Sequence, residues 1–146
     1  MTTPQQLQDI WHKEIPISKA MGIEIESFDG VELVVTAPLS ANFNVHQTGF
    51  AGSLYAINAL CGWGMVYLQL DQEKINADIV IADGQIKYQR PVSEDITAVC
   101  RFENHEAAMA LLKCGKKARF NLTSSIQCAG KDAAVFTGVY AVLPKS

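Results

Sequence analysis

The sequence predicts an α+β domain in which an antiparallel sheet curls around one long apolar helix. Three observations point to it. Residues Leu33 to Leu70 contain no Asp, Glu, Lys or Arg. Within them, Phe50 to Leu70 (FAGSLYAINALCGWGMVYLQL) looks helical and is apolar on every side, so it must be surrounded by lipid or by its own domain. Strand-like segments then follow one another instead of alternating with helices, which favours an antiparallel sheet. Lipid is the poorer surrounding. Gly52, Gly62 and Gly64 weaken a helix, Ser53, Asn58 and Gln69 bring polar groups, and no Lys/Arg cluster borders either end. A sheet wrapped around the helix fits, with dimerisation covering what remains exposed.

The elements read in order as follows. Thr3-Pro4-Gln5-Gln6 has the form of a capping box with Pro at the first helical position. Leu7, Ile10, Trp11 and Ile15 recur at helical spacing, and Pro16 stops that helix. Ala20 to Phe28 and Val31 to Ala37 form a β-hairpin around Asp29-Gly30. A polar, uncharged loop, Asn42 to Gly49, leads into the central helix, and Asp71 to Asn76 is its charged exit. Ala77 to Gln89 is a long strand with a bulge or bend at Asp83-Gly84. Asp95 to Phe102 resumes as a strand after Arg90-Pro91-Val92. Asn104 caps a short helix through Glu106 and Leu112 that Gly115 terminates. Ala118 to Cys128 and Ala133 to Leu143 are the last strands, joined by a turn at Gly130-Lys131-Asp132.

With 146 residues, 49% hydrophobic and 18% charged, the chain reads as a single globular domain spanning 1–146. A net charge of -3 argues against a nucleic-acid partner. Cys61, Cys100, Cys114 and Cys128 are widely spaced, without a CxxC pair or a His at zinc spacing. They read as free thiols, most of them core fillers, and no metal or cofactor is expected. Met1 to Ile10 lacks the pattern of a secretory signal, so the expected location is cytoplasmic, with no membrane span.

Ala51-Gly52-Ser53-Leu54 and Lys87-Tyr88-Gln89-Arg90-Pro91-Val92 resemble the hot-dog fold of acyl-thioester enzymes. More narrowly, Asn44-Val45-His46-Gln47-Thr48-Gly49-Phe50-Ala51-Gly52-Ser53-Leu54-Tyr55 resembles the YiiD C-terminal family, whose label is putative thioesterase. The similarity spans nearly the whole chain. It implies an acyl carrier protein or CoA thioester as partner and a homodimer or dimer of dimers. Some members are associated with decarboxylation of malonyl-acyl carrier protein to acetyl-acyl carrier protein for fatty-acid synthesis. A loop asparagine is implicated there, and the matching position is Asn44.

Many hot-dog thioesterases carry a histidine and two glycines at the helix start, then an acid within the helix. In that alignment Phe50 takes the histidine position, Ala51-Gly52 the glycines and Ala59 the acid. Neither Phe50 nor Ala59 can do acid–base chemistry, whereas hydrolysis needs an activated water. Between residues 33 and 70 the one base is His46. Decarboxylation of a malonyl thioester needs no base for carbon–carbon cleavage. It needs donors at the thioester oxygen, for which Asn44 and the backbone N–H groups of Ala51 and Gly52 are the candidates. His46 is a candidate proton donor to the enolate. The expected activity is therefore decarboxylation, with acyl-CoA or acyl-carrier-protein thioesterase as the alternative and a noncatalytic acyl-thioester-binding module as the alternative of another class. Each candidate also has a plain structural role: Asn44 in an Asx-turn, His46 at a loop surface, Asn58 as a satisfied core amide, and Tyr55 and Trp63 as core or interface residues. Ser53 has no His/Asp arrangement beside it and ranks low as a nucleophile. Lys87, Arg90, Lys116, Lys117 and Arg119 are unassigned candidates for a phosphate.

Overall fold

The long apolar helix is α3, Ala51–Gln72, and β-strands pack around it. The computed structural model describes residues 1–145. Ahead of α3 come helices α1 (Pro4–Glu14) and α2 (Pro16–Ala20) and strands β1 (Glu24–Phe28) and β2 (Glu32–Ala37). After it come β3 (Ala77–Tyr88), β4 (Ile96–Arg101), helix α4 (Glu106–Lys113), β5 (Ala118–Cys128) and β6 (Lys131–Pro144). The six strands form one antiparallel sheet in the order β1-β2-β4-β5-β6-β3, and α3 packs against β2, β3, β4, β5 and β6. This is the hot-dog arrangement, an α+β fold with the helix inside the curl of the sheet.

Strands β2, β4 and β5 alternate buried and less buried positions, so one face of the sheet is turned to α3. Leu33, Val35, Ala98, Cys100, Phe120, Leu122, Phe136 and Tyr140 meet Ile57, Cys61 and Met65 of the helix in one core. Burial pushes the Cys61 and Cys100 thiols up, Cys100 to about 12, so both remain protonated fillers. All four cysteines are free, and Cys114 alone is exposed.

The small residues of α3 sit where neighbours come closest. A Cβ on Gly64 would lie 2.6 Å from the ring of fully buried Trp11. On Gly62 it would lie 2.1 Å from the Tyr140 hydroxyl oxygen and 2.6 Å from its ring. That hydroxyl donates to the Ala59 carbonyl at 2.8 Å, tying β6 to the middle of the helix.

Several expectations from the sequence need correction. Pro16 does stop α1, but it also opens α2 as that helix's first residue, so the strand begins at Glu24 and not at Ala20. Gly22, at φ 70°, makes the turn between them. Ile10 is partly exposed and lies outside the core. Asn104 adopts φ 63° and does not cap α4; His105 holds the cap position without a side-chain hydrogen bond. The last hairpin turns at Ala129-Gly130, both at positive φ, which lets β6 start at Lys131. The Thr3–Gln6 capping box, the Asp29-Gly30 turn and Gly115 beyond the end of α4 match the reading.

Gly62→Ala should lower stability by about 2–4 kcal/mol, because the new methyl must displace a fully buried ring and strain its hydrogen bond to α3. Urea unfolding monitored by circular dichroism measures this. A loss below about 0.5 kcal/mol would contradict the packing described.

Candidate active site

The loop before α3 is a small hairpin held at its base. The Asn42 side-chain amide is buried and donates to the carbonyls of Met21 and Pro38, both at 2.8 Å, and the Asn42 carbonyl receives the Phe50 N–H. Phe43 and Gly49 pair across the hairpin, and the Asn44 N–H reaches the Thr48 carbonyl at 2.8 Å. The Gly49 N–H donates to the Val92 carbonyl at 2.7 Å, which fixes the loop to the segment after β3. Gln47, at φ 65°, occupies the left-handed position that closes the turn.

Asn44 organises this hairpin, as an Asx-turn residue does. Its Oδ1 accepts from the His46 N–H at 2.8 Å, the Thr48 N–H at 3.2 Å and the Thr48 hydroxyl at 3.2 Å. Two of those donors are backbone groups that cannot accept, so the amide orientation is dictated by its surroundings. The Nδ2 end then has one long contact, 3.4 Å to the Gly49 carbonyl. The side chain is only partly buried, and the amide keeps donor capacity beside the helix start.

Helix α3 begins without a cap. Phe50 holds the N-cap position, makes no side-chain hydrogen bond, and leaves Leu54 as the first N–H to enter the helical pattern, onto the Phe50 carbonyl. Ala51 and Gly52 are exposed. Their N–H groups are among the unpaired donors of a helix start, where the dipole favours negative charge. The Phe50 ring lies over Gly52, 2.7 Å from where a Cβ would be.

One further contact fixes this corner. The Tyr88 hydroxyl donates to the Ala51 carbonyl at 2.8 Å, joining the end of β3 to the first turn of α3. Ala77 and Ile79 face the core; beyond the register shift between Ile81 and Asp83 the inward positions become Gly84, Ile86 and Tyr88. A bulge of one residue changes which side chains point inward, and here it turns Tyr88 toward the helix. Burial, and then the neighbouring Tyr55, hold the Tyr88 phenol above its ordinary range, so it stays a donor. Sequence reasoning gave Tyr88 no role; its one signal was its place in the strand-end motif.

The other candidates separate. Asn44, Ala51 and Gly52 lie on adjoining segments, whereas the His46 side chain is exposed at the hairpin tip. Ala59 and Asn58 are buried two turns into α3. Asn58 is only half satisfied, with Nδ2 3.4 Å from the Ala134 carbonyl and Oδ1 unpaired among the described residues. Ser53 is buried in the first turn. Lys87 lies at the end of β3 that reaches α3's start and Arg90 just beyond that end, with Arg90 Nε engaged by the Asp132 carbonyl. Lys116, Lys117 and Arg119 lie toward the opposite end, where β5 begins opposite Val142 and β3 begins opposite Pro144.

Tyr88→Phe should cost less than about 1 kcal/mol, since the residue is half exposed and water replaces part of the lost bond. Denaturant midpoints of the two proteins check this. A loss above about 2 kcal/mol would mean that Tyr88 carries more of the fold than one hydrogen bond.

The comparisons agree with this geometry. The family model described as "putative thioesterase (yiiD_Cterm)" matches residues 4–144. The chain is similar to the crystal structure of a putative thioesterase from Shewanella oneidensis, at 40% identity over 97% of each chain with a TM-score of 0.91. It is also similar to a protein of unknown function from Chlorobaculum tepidum, at 37% identity over 98% of each chain with a TM-score of 0.88. A probable thioesterase from Pseudomonas aeruginosa shares the fold, at 18% identity over 99% of each chain with a TM-score of 0.81. A family match over almost all of a hot-dog domain leaves one assignment: the chain belongs to the YiiD C-terminal family of acyl-thioester-processing proteins.

Proposed function

We propose that the protein decarboxylates malonyl-acyl carrier protein to acetyl-acyl carrier protein, a product that feeds fatty-acid synthesis. The observation that carries this reading is the pairing of an uncapped helix start with the Asn44 amide, whose acceptor end takes three hydrogen bonds and whose donor end makes one long contact to Gly49 and keeps its second N–H. The thioester carbonyl oxygen lies against Asn44 Nδ2 and a backbone N–H of Ala51 or Gly52. The carbon–carbon bond to the malonyl carboxylate breaks, carbon dioxide leaves, and the electron pair moves onto the carbonyl oxygen as an enolate. The donors and the helix dipole stabilise that oxygen as its charge develops. A proton from water or His46 then converts the enolate carbon to the acetyl methyl group. An uncharged site suits this chemistry, because a nearby carboxylate would repel the substrate's own.

Hydrolysis of an acyl-CoA or acyl-carrier-protein thioester is the second reading, favoured by the thioesterase descriptions of the similar proteins. It uses the same donors but needs a base, and His46 is the one available between residues 33 and 70.

The working form is a dimer. Strand β3 is an edge of the sheet, 12 residues long, with Val80 and Ile81 exposed on it. An edge of that length presents unpaired backbone groups that a second copy can pair with. Sedimentation equilibrium should give a dimer or a dimer of dimers, and Val80→Lys should shift it toward monomer. A wild-type monomer with full activity would contradict this.

Asn44→Asp is the cleaner test of the chemistry, since Asp keeps the oxygen that braces the hairpin and removes the donor. It should reduce decarboxylation by about 100- to 1000-fold with melting little changed. Asn44→Ala should lose similar activity and also loosen the hairpin, because three accepted hydrogen bonds go with it. Decarboxylation and hydrolysis rates on malonyl-acyl carrier protein, with substrate binding measured separately, decide the matter. Near-normal decarboxylation by folded Asn44→Asp would remove the donor role and the mechanism with it.

A further inference from the structure

The Asn44 amide belongs to a hairpin and the first N–H groups of α3 to a helix, so their separation depends on what holds the two together. The segment between β3 and β4 does so from outside. Residues 89–95 form neither helix nor strand, which leaves their polar groups to bond elsewhere. The Val92 side chain is fully buried, and the Val92 carbonyl takes the Gly49 N–H at the foot of the hairpin. A Cβ on Gly49 would lie 3.2 Å from Val92 Cβ and 3.0 Å from Leu54 Cδ2, so strap, hairpin and helix meet there without slack. Three residues on, Asp95 Oδ1 accepts the Leu39 N–H at 2.9 Å, at the head of the 3₁₀ turn Leu39–Ala41. That turn runs straight into Asn42, the anchor of the hairpin base. At its other end the strap follows Tyr88, which holds the Ala51 carbonyl.

The strap is itself tied down. Arg90 Nε donates to the Asp132 carbonyl at 3.0 Å, and Glu94 Oε1 accepts the Ala129 N–H at 2.6 Å, which fixes it around the β5–β6 turn. The same Ala129 N–H holds the Glu94 carboxyl below its ordinary range.

We propose that this strap sets the geometry of the site, with Glu94 and Asp95 as positioning residues that keep the Asn44 donor in register with the N–H groups of Ala51 and Gly52. The inference rests on the donor site described above. It holds for either fate of the thioester, since decarboxylation and hydrolysis use the same donors. Both carboxylates act through the backbone N–H groups they accept from, not on the substrate. Both side chains are exposed and lie outside the core, so the fold depends little on their hydrogen bonds. The site depends on them more, because a displacement of about 1 Å costs about 100-fold in rate even when its cause lies far from the chemistry. Their loss should therefore show in turnover before it shows in stability.

The test compares two double variants of the intact protein. Glu94→Ala with Asp95→Ala removes both acceptors, whereas Glu94→Gln with Asp95→Asn removes the charge and keeps an acceptor oxygen on each side chain. With malonyl-acyl carrier protein as substrate and rates expressed per folded protein, the alanine pair should lower kcat at least about 10-fold, with KM within about twofold. Its melting midpoint should be little changed. The amide pair should keep kcat within about threefold of wild type, since its acceptors remain. Hydrogen exchange at the Gly49 and Phe50 N–H groups should quicken at least about fivefold in the alanine pair and stay near wild type in the amide pair. If hydrolysis is the wild-type reaction, the same ratios apply to it. A kcat unchanged by the alanine pair would overturn the proposal, and so would an equal loss in both pairs, which would assign the effect to charge. A wild type that yields neither acetyl-carrier protein nor free carrier thiol would overturn the functional reading and this role with it, an outcome separate from both.

Discussion

Burying α3 is the constraint on which the rest of the structure depends. Its 22 residues contain one charged side chain, Asp71, in the last turn. A helix of that composition loses its stability unless apolar surface meets it on most sides. The sheet supplies that surface by wrapping β2, β4, β5, β6 and β3 around it. Close approach then requires small residues on the helix, which Gly62 and Gly64 provide against Tyr140 and Trp11. The same demand sets the inward faces of the strands and makes the bulge in β3 matter. Without the change of parity between Ile81 and Asp83, Tyr88 would point away from the helix it fastens.

The proposed chemistry sits where this burial ends. Core residues stabilise the body of α3, while its first turn, Ala51 and Gly52, stays exposed and uncapped. A side-chain cap there would favour the helix, typically by about 1 kcal/mol. Leaving it out keeps backbone donors free, and in the proposed reading they serve a substrate oxygen. The hairpin is correspondingly rigid: Asn42 anchors its base, Gly49 is tied to Val92, and Asn44 braces its interior. A donor held by such a network needs little reorganisation as charge develops, which is the physical basis of oxyanion-type stabilisation.

Much of the fold was legible in the sequence because its signals are local. The Thr3 capping box, the uncharged run of α3, the strand periods and the irregularity at Asp83-Gly84 each follow from a few neighbouring residues. The misreadings arose where two local rules competed. Pro16 ends one helix and also fits the first position of another, and Asn104 suits a cap and a left-handed turn equally well. At the site, the loop and the helix start could be named, but the direction of the Asn44 amide could not. It depends on the Thr48 and His46 groups folding back on it. Tyr88 was hidden for a related reason, since its contact with Ala51 spans 37 residues and depends on a bulge.

The central claim is that this corner stabilises an enolate without a catalytic base. The most direct measurement is to incubate the purified protein with malonyl-acyl carrier protein and determine the acyl group left on the carrier by mass spectrometry. The account predicts acetyl-acyl carrier protein with release of carbon dioxide. Free carrier thiol, the product of hydrolysis, or unchanged malonyl-acyl carrier protein would contradict it.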